Sequence, residues 1–494
     1  MSTREKRYYT GSRDGKRPAT TDPLRGARDH YDVVVVGSGL GGLTAANILG
    51  RAGHSVCVLE QHYNYGGLAT WFKRRGGHIF DISLHGFPFG MKKTCRKYWG
   101  PSIADKIVQL DGIRFDNPQF SFETEFTRDD FTDKLVGVFG CDRAVVEDFY
   151  STLRAMNYYD DDGRTVGELF EEFFPGRNDV HRLLLEPISY ANGSALSDPA
   201  IAYGIVFSNF MSKGVFTFTG GTDWLVREMR DILTTNGVDL FNKVQVERVL
   251  VEQGRARGVL VGDREIRAEV VISNANIRNT ALDLVGREHF SNEWITGLEE
   301  VRLNDSSTQV YMGLEEGAEL PWISDLFFTS TRDTFESDAL CDLHGESRTF
   351  SFYYPKVRPG TDRYTVVSSM NARFKDWADM DDRAYEENKT RLERETVEAL
   401  ERYVPGVAEK LTHVEASTPR TFEFYTQHAR GTSFGTKFEG LPYSMQISEA
   451  IEGLYHAGSV GIIMSGWLGA ANYGAITANK VDERLMKLAQ LEQA

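Results

Sequence analysis

The stretch from Tyr31 to Gly67, YDVVVVGSGLGGLTAANILGRAGHSVCVLEQHYNYGG, constrains the fold more than any other part of this chain. Val33 to Val36 form an apolar run of the length of a buried parallel strand. Gly37-Ser38-Gly39-Leu40-Gly41-Gly42 then turns at once into the helix-like segment Leu43–Ala52, and Ser55–Leu59 reads as a second strand ending at Glu60. The glycine spacing has a chemical reading. Gly37 permits a sharp turn, Gly39 lets backbone approach a pyrophosphate, and Gly42 lets helix and strand pack closely, with the helix N-terminus facing the anion. Glu60, eighteen residues past Gly42, stands where a carboxylate accepts hydrogen bonds from both ribose hydroxyls and disfavours a 2′-phosphate. Glycines in such a turn can also be tight-turn residues and nothing more. Two strands, a helix and an acid in register argue against that plainer reading.

Gly66-Gly67 then selects between cofactors. An acid followed within a few residues by Gly-Gly resembles the extended fingerprint of two-domain FAD enzymes, in which the pair lets a second loop close on the diphosphate. NAD-binding units usually lack it. Ser38, Leu40, Gly41, Gln61 and Leu68 lie in the same two loops and join the expected FAD contacts.

The resemblance extends along most of the chain. GGLATWFKRRGGHIFDISLHGF is similar to the Gly-Gly…Phe-Asp-x-Gly-x-His segment of the phytoene desaturase, carotenoid isomerase and retinol saturase superfamily, nearest to the saturase-like branch. Phe80, Asp81 and His85 match. Leu68 and Ser83 depart, because many relatives carry Arg or another residue after the glycine pair and Gly at the second position. The stretch 192–229 resembles the approach to the family's second Gly-Gly, here Gly220-Gly221, which opens a helix. Residues 237–261 read as two strands joined through Gln253-Gly254, with Val246 aligned to the valine whose backbone usually clasps the adenine, and VVISNAN (270–276) resembles the strand returning to the FAD domain.

Near the end, EASTPRTFEFYTQHARGTSFG resembles the family's Thr-Pro…Tyr…Gly…Gly stretch, and residues 452–481 its closing strand and helix. The resemblance implies that Gly458 and Ser459 face the FAD phosphates and that the backbone of Gly461 and Ile462 meets the isoalloxazine edge. Relatives usually insert a Gly/Pro-rich loop between the Ala-Gly and the next Gly, where this chain has only Ser459 and Val460. That shortening bears on the reactive face of the flavin and makes transfer of substrate identity unsafe.

The fold class implied is α/β: a Rossmann-like FAD-binding domain interleaved with a substrate-binding domain built on a mixed sheet plus helices. The motif order assigns 31–95, 215–285 and 420–494 to the first, 96–214 and 286–419 to the second, and 1–30 to a disordered basic tail. The tail holds eight Lys/Arg and four Asp/Glu in a chain of net charge −15, so the body is strongly acidic and nucleic acid is not its expected partner. The tail lacks the apolar core of a secretory signal, and its acids weigh against a transit peptide. An electrostatic tether to anionic lipid is its sharper reading. With no apolar run of roughly 18 residues, the expectation is a cytoplasmic protein, soluble or peripherally membrane-associated. Cys57, Cys95, Cys141 and Cys341 show no C-x-x-C pair, which suits reduced, buried thiols and no metal site. The acidic run Asp376–Tyr403 has helical spacing and reads as a solvated helix with one packed face.

A flavin exchanges a hydride at N5, and the protein supplies position, electrostatics and proton handling. The family resemblance implies an isoprenoid or polyene substrate held in a long apolar tunnel, with walls expected from Leu183–Leu185 and Ile201–Phe218, segments that ordinary core packing explains as well. His85 is the candidate catalytic residue, placed by the motif where substrate meets flavin to protonate or orient an allylic intermediate; a histidine bonded inside a packed loop is the plainer reading. His456 is expected to pack or bond backbone, while Ser465, Trp467 and Tyr473 are candidates for the flavin pocket. The sequence shows no second glycine-rich strand–turn–helix, so the electron partner is expected to be a quinone, oxygen or a mobile donor, unless the flavin cycles without net redox in an isomerisation. Desaturation, saturation and cis–trans isomerisation of a carotenoid-like lipid stay open. So do an amine-oxidase-like flavoenzyme and, in another class, a prenyl-protein chaperone of the GDP-dissociation-inhibitor type, which carries an eroded version of this fingerprint.

Overall fold

A computed structural model describes residues 22–156, 163–358, 364–461 and 463–492. The first strand, β1 (His30–Val36), lies between β2 (Val56–Glu60) and the strand Arg264–Ser273, parallel to both, with Val33 opposite Val56 on one side and Val270 on the other. Asp239–Asn242 extends the parallel sheet beyond β2, and Leu454–His456 pairs with the end of Arg264–Ser273. The Gln253-Gly254 turn joins Arg248–Glu252 to Arg255–Val261 as an antiparallel hairpin that completes the seven strands. Val33, Val34 and Val35 are fully buried, as the central strand of a sheet covered on both faces must be.

One cover is α1 (Leu40–Arg51), which begins three residues earlier than its apolar pattern indicates, packed with the long carboxy-terminal helix Gly466–Glu492. The two helices touch through glycine: a Cβ on Gly474 would lie 2.2 Å from the carbonyl oxygen of Gly41. The opposite face is covered by Ile277, Val285, Ile295 and Leu298 from the segments after residue 276.

A second seven-stranded sheet runs in the order Leu411–Ser417, Ser306–Leu314, Thr365–Ala372, Ser347–Tyr353, Leu326–Ser330, Ile113–Asn117, Phe120–Thr124. All its neighbours are antiparallel except Leu326–Ser330 with Ile113–Asn117, so the sheet is mixed. Its outer face, with Val310, Met312, Phe327, Phe350 and Val366, is sealed by Leu392, Ala399 and Leu400 of the helix Asp382–Glu401, which Asp381 caps by accepting from the Ala384 N–H. The solvated-helix reading of this acidic run therefore holds from Asp382 to Glu401, while its first residues belong to a separate short helix, Phe374–Ala378. Beside the sheet, four helices (Arg143–Ala155, Val166–Phe173, Asn178–Asn192, Ala200–Met211) enclose an aromatic core of Phe149, Phe170, Tyr203 and Phe207.

Residues 1–21, most of the expected tail, lie outside the described residues. Residues 22–30 are folded against the first sheet, contrary to their assignment to the tail. Leu24 is buried, and Arg264 donates to the carbonyls of Leu24 and Ala27, so one apolar side chain and one guanidinium fix the entry to β1.

Candidate functional site

A cavity of about 950 Å³ lies between the carboxyl edge of the first sheet and the inner face of the second. Gly37, Ser38, Gly39, Leu40 and Gly41 line it from the turn into α1, Glu60 and Gln61 from the end of β2, Gly66, Gly67 and Leu68 from the next loop, Val246 from the approach to the hairpin, and Ser459 from the carboxy-terminal segment. The distant chain end thus meets the opening glycine turn.

The turn is shaped by close backbone approach. Gly37 has φ +91°, and a Cβ on Gly42 would sit 2.5 Å from the Gly37 carbonyl oxygen. A Cβ on Gly39 would meet Asn274 Nδ2 at 2.6 Å, and one on Gly67 would meet the Cα of Gly39 at 2.9 Å. The second glycine loop leans directly on the first: the Gly66 N–H donates to the Ser38 carbonyl at 3.0 Å. Asn274, which lines the same cavity, braces the turn by accepting the Gly42 N–H at 2.9 Å. The N-cap residue Gly39 has no side chain to cap α1 and its first turn holds no acid, so apart from the Gly42 N–H taken by Asn274 its positive end is not neutralised by a charge of the helix itself. A bare cradle of this kind fits a diphosphate.

Glu60 is almost buried and already accepts three hydrogen bonds. Ser38 N–H and Oγ–H donate to Oε2 at 2.9 and 2.6 Å, and the His62 N–H to Oε1 at 2.7 Å. A carboxylate has about four lone-pair sites. One on Oε1 is left, enough for one ribose hydroxyl while Ser38 keeps this position and not for both as its place in the sequence implies. Val246 borders the same end of the cavity.

The two positions that depart from the family pattern meet each other. Ser83 Oγ–H donates to the Leu68 carbonyl at 2.8 Å, and Trp467 Nε1–H to the Ser83 carbonyl at 3.0 Å, tying the glycine-pair loop to the last helix. The Phe-Asp motif is structural. Asp81, buried, accepts from the Thr222 N–H at 2.7 Å and pairs with the buried Arg358, which also reaches Asp223 at 3.2 Å. Gly221 makes room for that guanidinium, as a Cβ there would lie 2.5 Å from Arg358 Nη2.

Several sequence expectations are corrected. Gly458 does not line the cavity; its Cα abuts the returning strand, where a Cβ would be 2.2 Å from the Ala275 carbonyl oxygen. Gly461 also lies off the cavity, its N–H donating to the Thr436 carbonyl at 3.1 Å, and Ile462 lies outside the described residues. Leu183–Leu185 are core; the following turn of the same helix, with Pro187, Ile188 and Tyr190, faces the cavity instead. From Ile201–Phe218, Ile205, Val206, Phe210 and Val215 line it. Ser465 and Trp467 line it, whereas Tyr473 is buried beside it, donating to Ser444 Oγ.

His85 stands at the meeting point of the two sheets. Its Nδ1 is 2.8 Å from Ser351 Oγ, and its Nε2 is 3.1 Å from Ser369 Oγ and 3.3 Å from Gln309 Nε2. Burial lowers its pKa to about 4, which makes it a neutral imidazole at pH 7. The register carries the polar surface across the sheet: Ser417, Gln309, Ser369 and Thr349 form one row through four strands, and Phe328 continues it. All five line the cavity. Nothing in the local sequence of those strands distinguishes them from ordinary alternation; the row exists only once the strands pair.

These features define the class by fold: a Rossmann-like nucleotide-binding domain joined to a mixed-sheet domain. Residues 35–99 match the family model of the NAD(P)-binding Rossmann-like domain. Over 92% of its length the chain is 23% identical to a chloroplastic prolycopene isomerase of Arabidopsis thaliana, covering 83% of that protein, and 23% identical to an all-trans-retinol 13,14-reductase of Danio rerio, covering 86% of it. In fold it is similar to cyclohexylamine oxidase from Brevibacterium oxydans, with a TM-score of 0.65, 13% identity, and 92% of this chain and 99% of that one covered.

Proposed function

We propose that this protein is a FAD-dependent oxidoreductase acting on C–C or C=C bonds of a carotenoid-like or other polyisoprenoid lipid, by desaturation, saturation or cis–trans isomerisation. The observation that carries the reading is one cavity lined both by the glycine cradle and by the apolar side chains of Ile188, Val206, Phe210 and Phe328. The relatives named above act, by their names, on a lycopene isomer and on retinol, which supports a polyene.

In this reading Gly37–Gly41 and Gly66-Gly67 hold the diphosphate, Glu60 a ribose hydroxyl, Val246 the adenine end, and Ser459, Ser465 and Trp467 the flavin side. Bound FAD supplies hydride exchange at N5. The second sheet and the helices around 143–211 form the substrate part. His85, neutral and bonded through both ring nitrogens, acts as a positioning residue and not as a proton donor at pH 7. The electron partner in this reading is a quinone, oxygen or another mobile carrier. No helix among the described residues is long and apolar enough to cross a membrane; in our reading, lipid substrate is reached from the cytoplasm by peripheral contact.

The test is anaerobic spectroscopy of the purified protein reconstituted with FAD, with carotenoids, retinoids, quinones and amines added in turn. Polyene-dependent change in flavin redox state, or polyene isomerisation by the reduced protein, is expected. Bleaching by amines with peroxide release on re-aeration favours the amine-oxidase reading, and a protein that stays colourless with FAD favours the chaperone.

A further inference from the structure

The inner face of the second sheet is a poor wall for a pure hydrocarbon. Its outer face is aliphatic and aromatic, whereas the row facing the cavity begins Ser417, Gln309, Ser369, Thr349 before it turns apolar at Phe328. Gln309, Thr349 and Ser417 are at most 6% exposed, and burying polar groups without partners is costly.

Donors exceed acceptors around His85. The Tyr311 hydroxyl donates to Gln309 Oε1, which turns the Gln309 amide nitrogen, a donor only, toward His85 Nε2. His85 Nε2 must therefore accept, and Nδ1–H donates to Ser351 Oγ. The Ser369 hydroxyl competes for the same nitrogen at 3.1 Å. A neutral imidazole nitrogen offers one lone pair, so either a Gln309 N–H or the Ser369 O–H is left to point at whatever fills the cavity. No charge lies in the row. Two cations line the cavity outside the row among the described residues: Arg74, engaged by both oxygens of Glu415 at 2.5 and 2.6 Å, and Lys389 of the helix Asp382–Glu401.

We infer that this row is a specificity element for a neutral oxygen function, a hydroxyl or carbonyl, carried by the isoprenoid substrate, which it engages through Gln309 and Ser369 with Ser417 and Thr349 alongside. The inference rests on the polyene reading above and names its substrate class more narrowly. A carboxylate meets no cation within the row itself, and a hydrocarbon leaves the surplus donor unpaired.

Four ligands with one shared polyene chain test it: retinol, retinal, retinoic acid and the parent hydrocarbon axerophthene. Binding to the FAD-loaded protein is read from quenching of tryptophan fluorescence, since Trp71 and Trp467 line the cavity. Retinol and retinal are expected to bind about 10-fold more tightly than axerophthene or retinoic acid, the size of one net hydrogen bond. In Ser369→Ala, which removes a single oxygen, and in Gln309→Leu that preference should shrink to within about 3-fold, while axerophthene affinity holds or rises. Equal binding of axerophthene and retinol, tighter binding of the acid, or a preference unchanged in both variants overturns the inference and leaves the polyene reading standing. Binding of none of the four overturns both.

Discussion

Acidification should loosen the bond between the carboxy-terminal strand and the segment that follows the strand Arg264–Ser273, and His456 is where this is measurable. The ring is buried, and its roles are set by its neighbours. Nε2–H donates to the Ala275 carbonyl at 2.8 Å, Nδ1 accepts from Ser444 Oγ–H at 2.6 Å, and Ser444 accepts from the Tyr473 hydroxyl. Burial is the main cause that lowers its pKa from 6.5 to about 4. Between those values the unfolded chain binds a proton that the folded one refuses, so stability is fully present above 6.5 and is lost as the pH falls toward 4. Linkage gives a loss from this one group of about 2 kcal/mol between pH 7 and pH 5. Urea unfolding at both pH values, with FAD in excess, should show wild type losing about 2 kcal/mol more than His456→Gln, whose amide keeps a donor for Ala275 without a titrating ring. An identical pH dependence in the two proteins would falsify the assigned ionisation.

Further outcomes follow from single contacts. Gly39→Val places side-chain carbon against Asn274 Nδ2 and in the cradle, so flavin retention after gel filtration should vanish while far-ultraviolet dichroism stays native; full occupancy would sink the diphosphate assignment. Asn274→Ala strands the Gly42 N–H and should cost about 1–3 kcal/mol in urea unfolding, with weaker FAD binding by titration. Arg358→Leu leaves Asp81 buried without its cation and should destabilise by about 3–5 kcal/mol, while Asp81→Asn in the same background should recover part of the loss. No recovery would mean the pair acts through packing alone.

The first sheet was legible because its strands carry their own evidence. Val33–Val36 is continuous apolar sequence, which only burial on both faces explains, and the glycines after it allow one turn into one helix. Glu60 could be placed at the cavity because it ends a readable strand, and Val246 because it matches the family's adenine-clasping valine. The carboxy-terminal contacts were less legible. Ser459 reaches the cavity, yet Gly458 turns to the Ala275 carbonyl, because a glycine beside a strand end serves close backbone packing as readily as ligand approach, and sequence does not separate the two. Leu183–Leu185 failed for a related reason: on a helix, which side of an apolar run faces a void and which faces core depends on its neighbours, here the aromatic cluster around Phe170 and Phe207.

The polar row marks the physical limit of such reading. Gln309, Thr349, Ser369 and Ser417 belong to four strands spread over more than a hundred residues, and each is an unremarkable polar residue in an alternating segment that one would place toward water. Pairing of Gln309 with both Ser369 and Ser417, and of Ser369 with Thr349, turns four separate residues into one surface, and the two-residue period of a strand sends all four to the side away from Val310 and Phe350. A slip of one residue in Ser306–Leu314 or Ser347–Tyr353 toward the carboxyl end would send Val310 or Phe350 into the cavity and Gln309 or Thr349 into the core beneath Leu392 and Leu400. The apolar outer face therefore fixes the register, and the register places the polar row where substrate lies. Core packing and substrate recognition are two faces of the same strand alignment, so a substitution beneath the sheet, at Val310 or Phe350, should alter ligand preference without touching ligand.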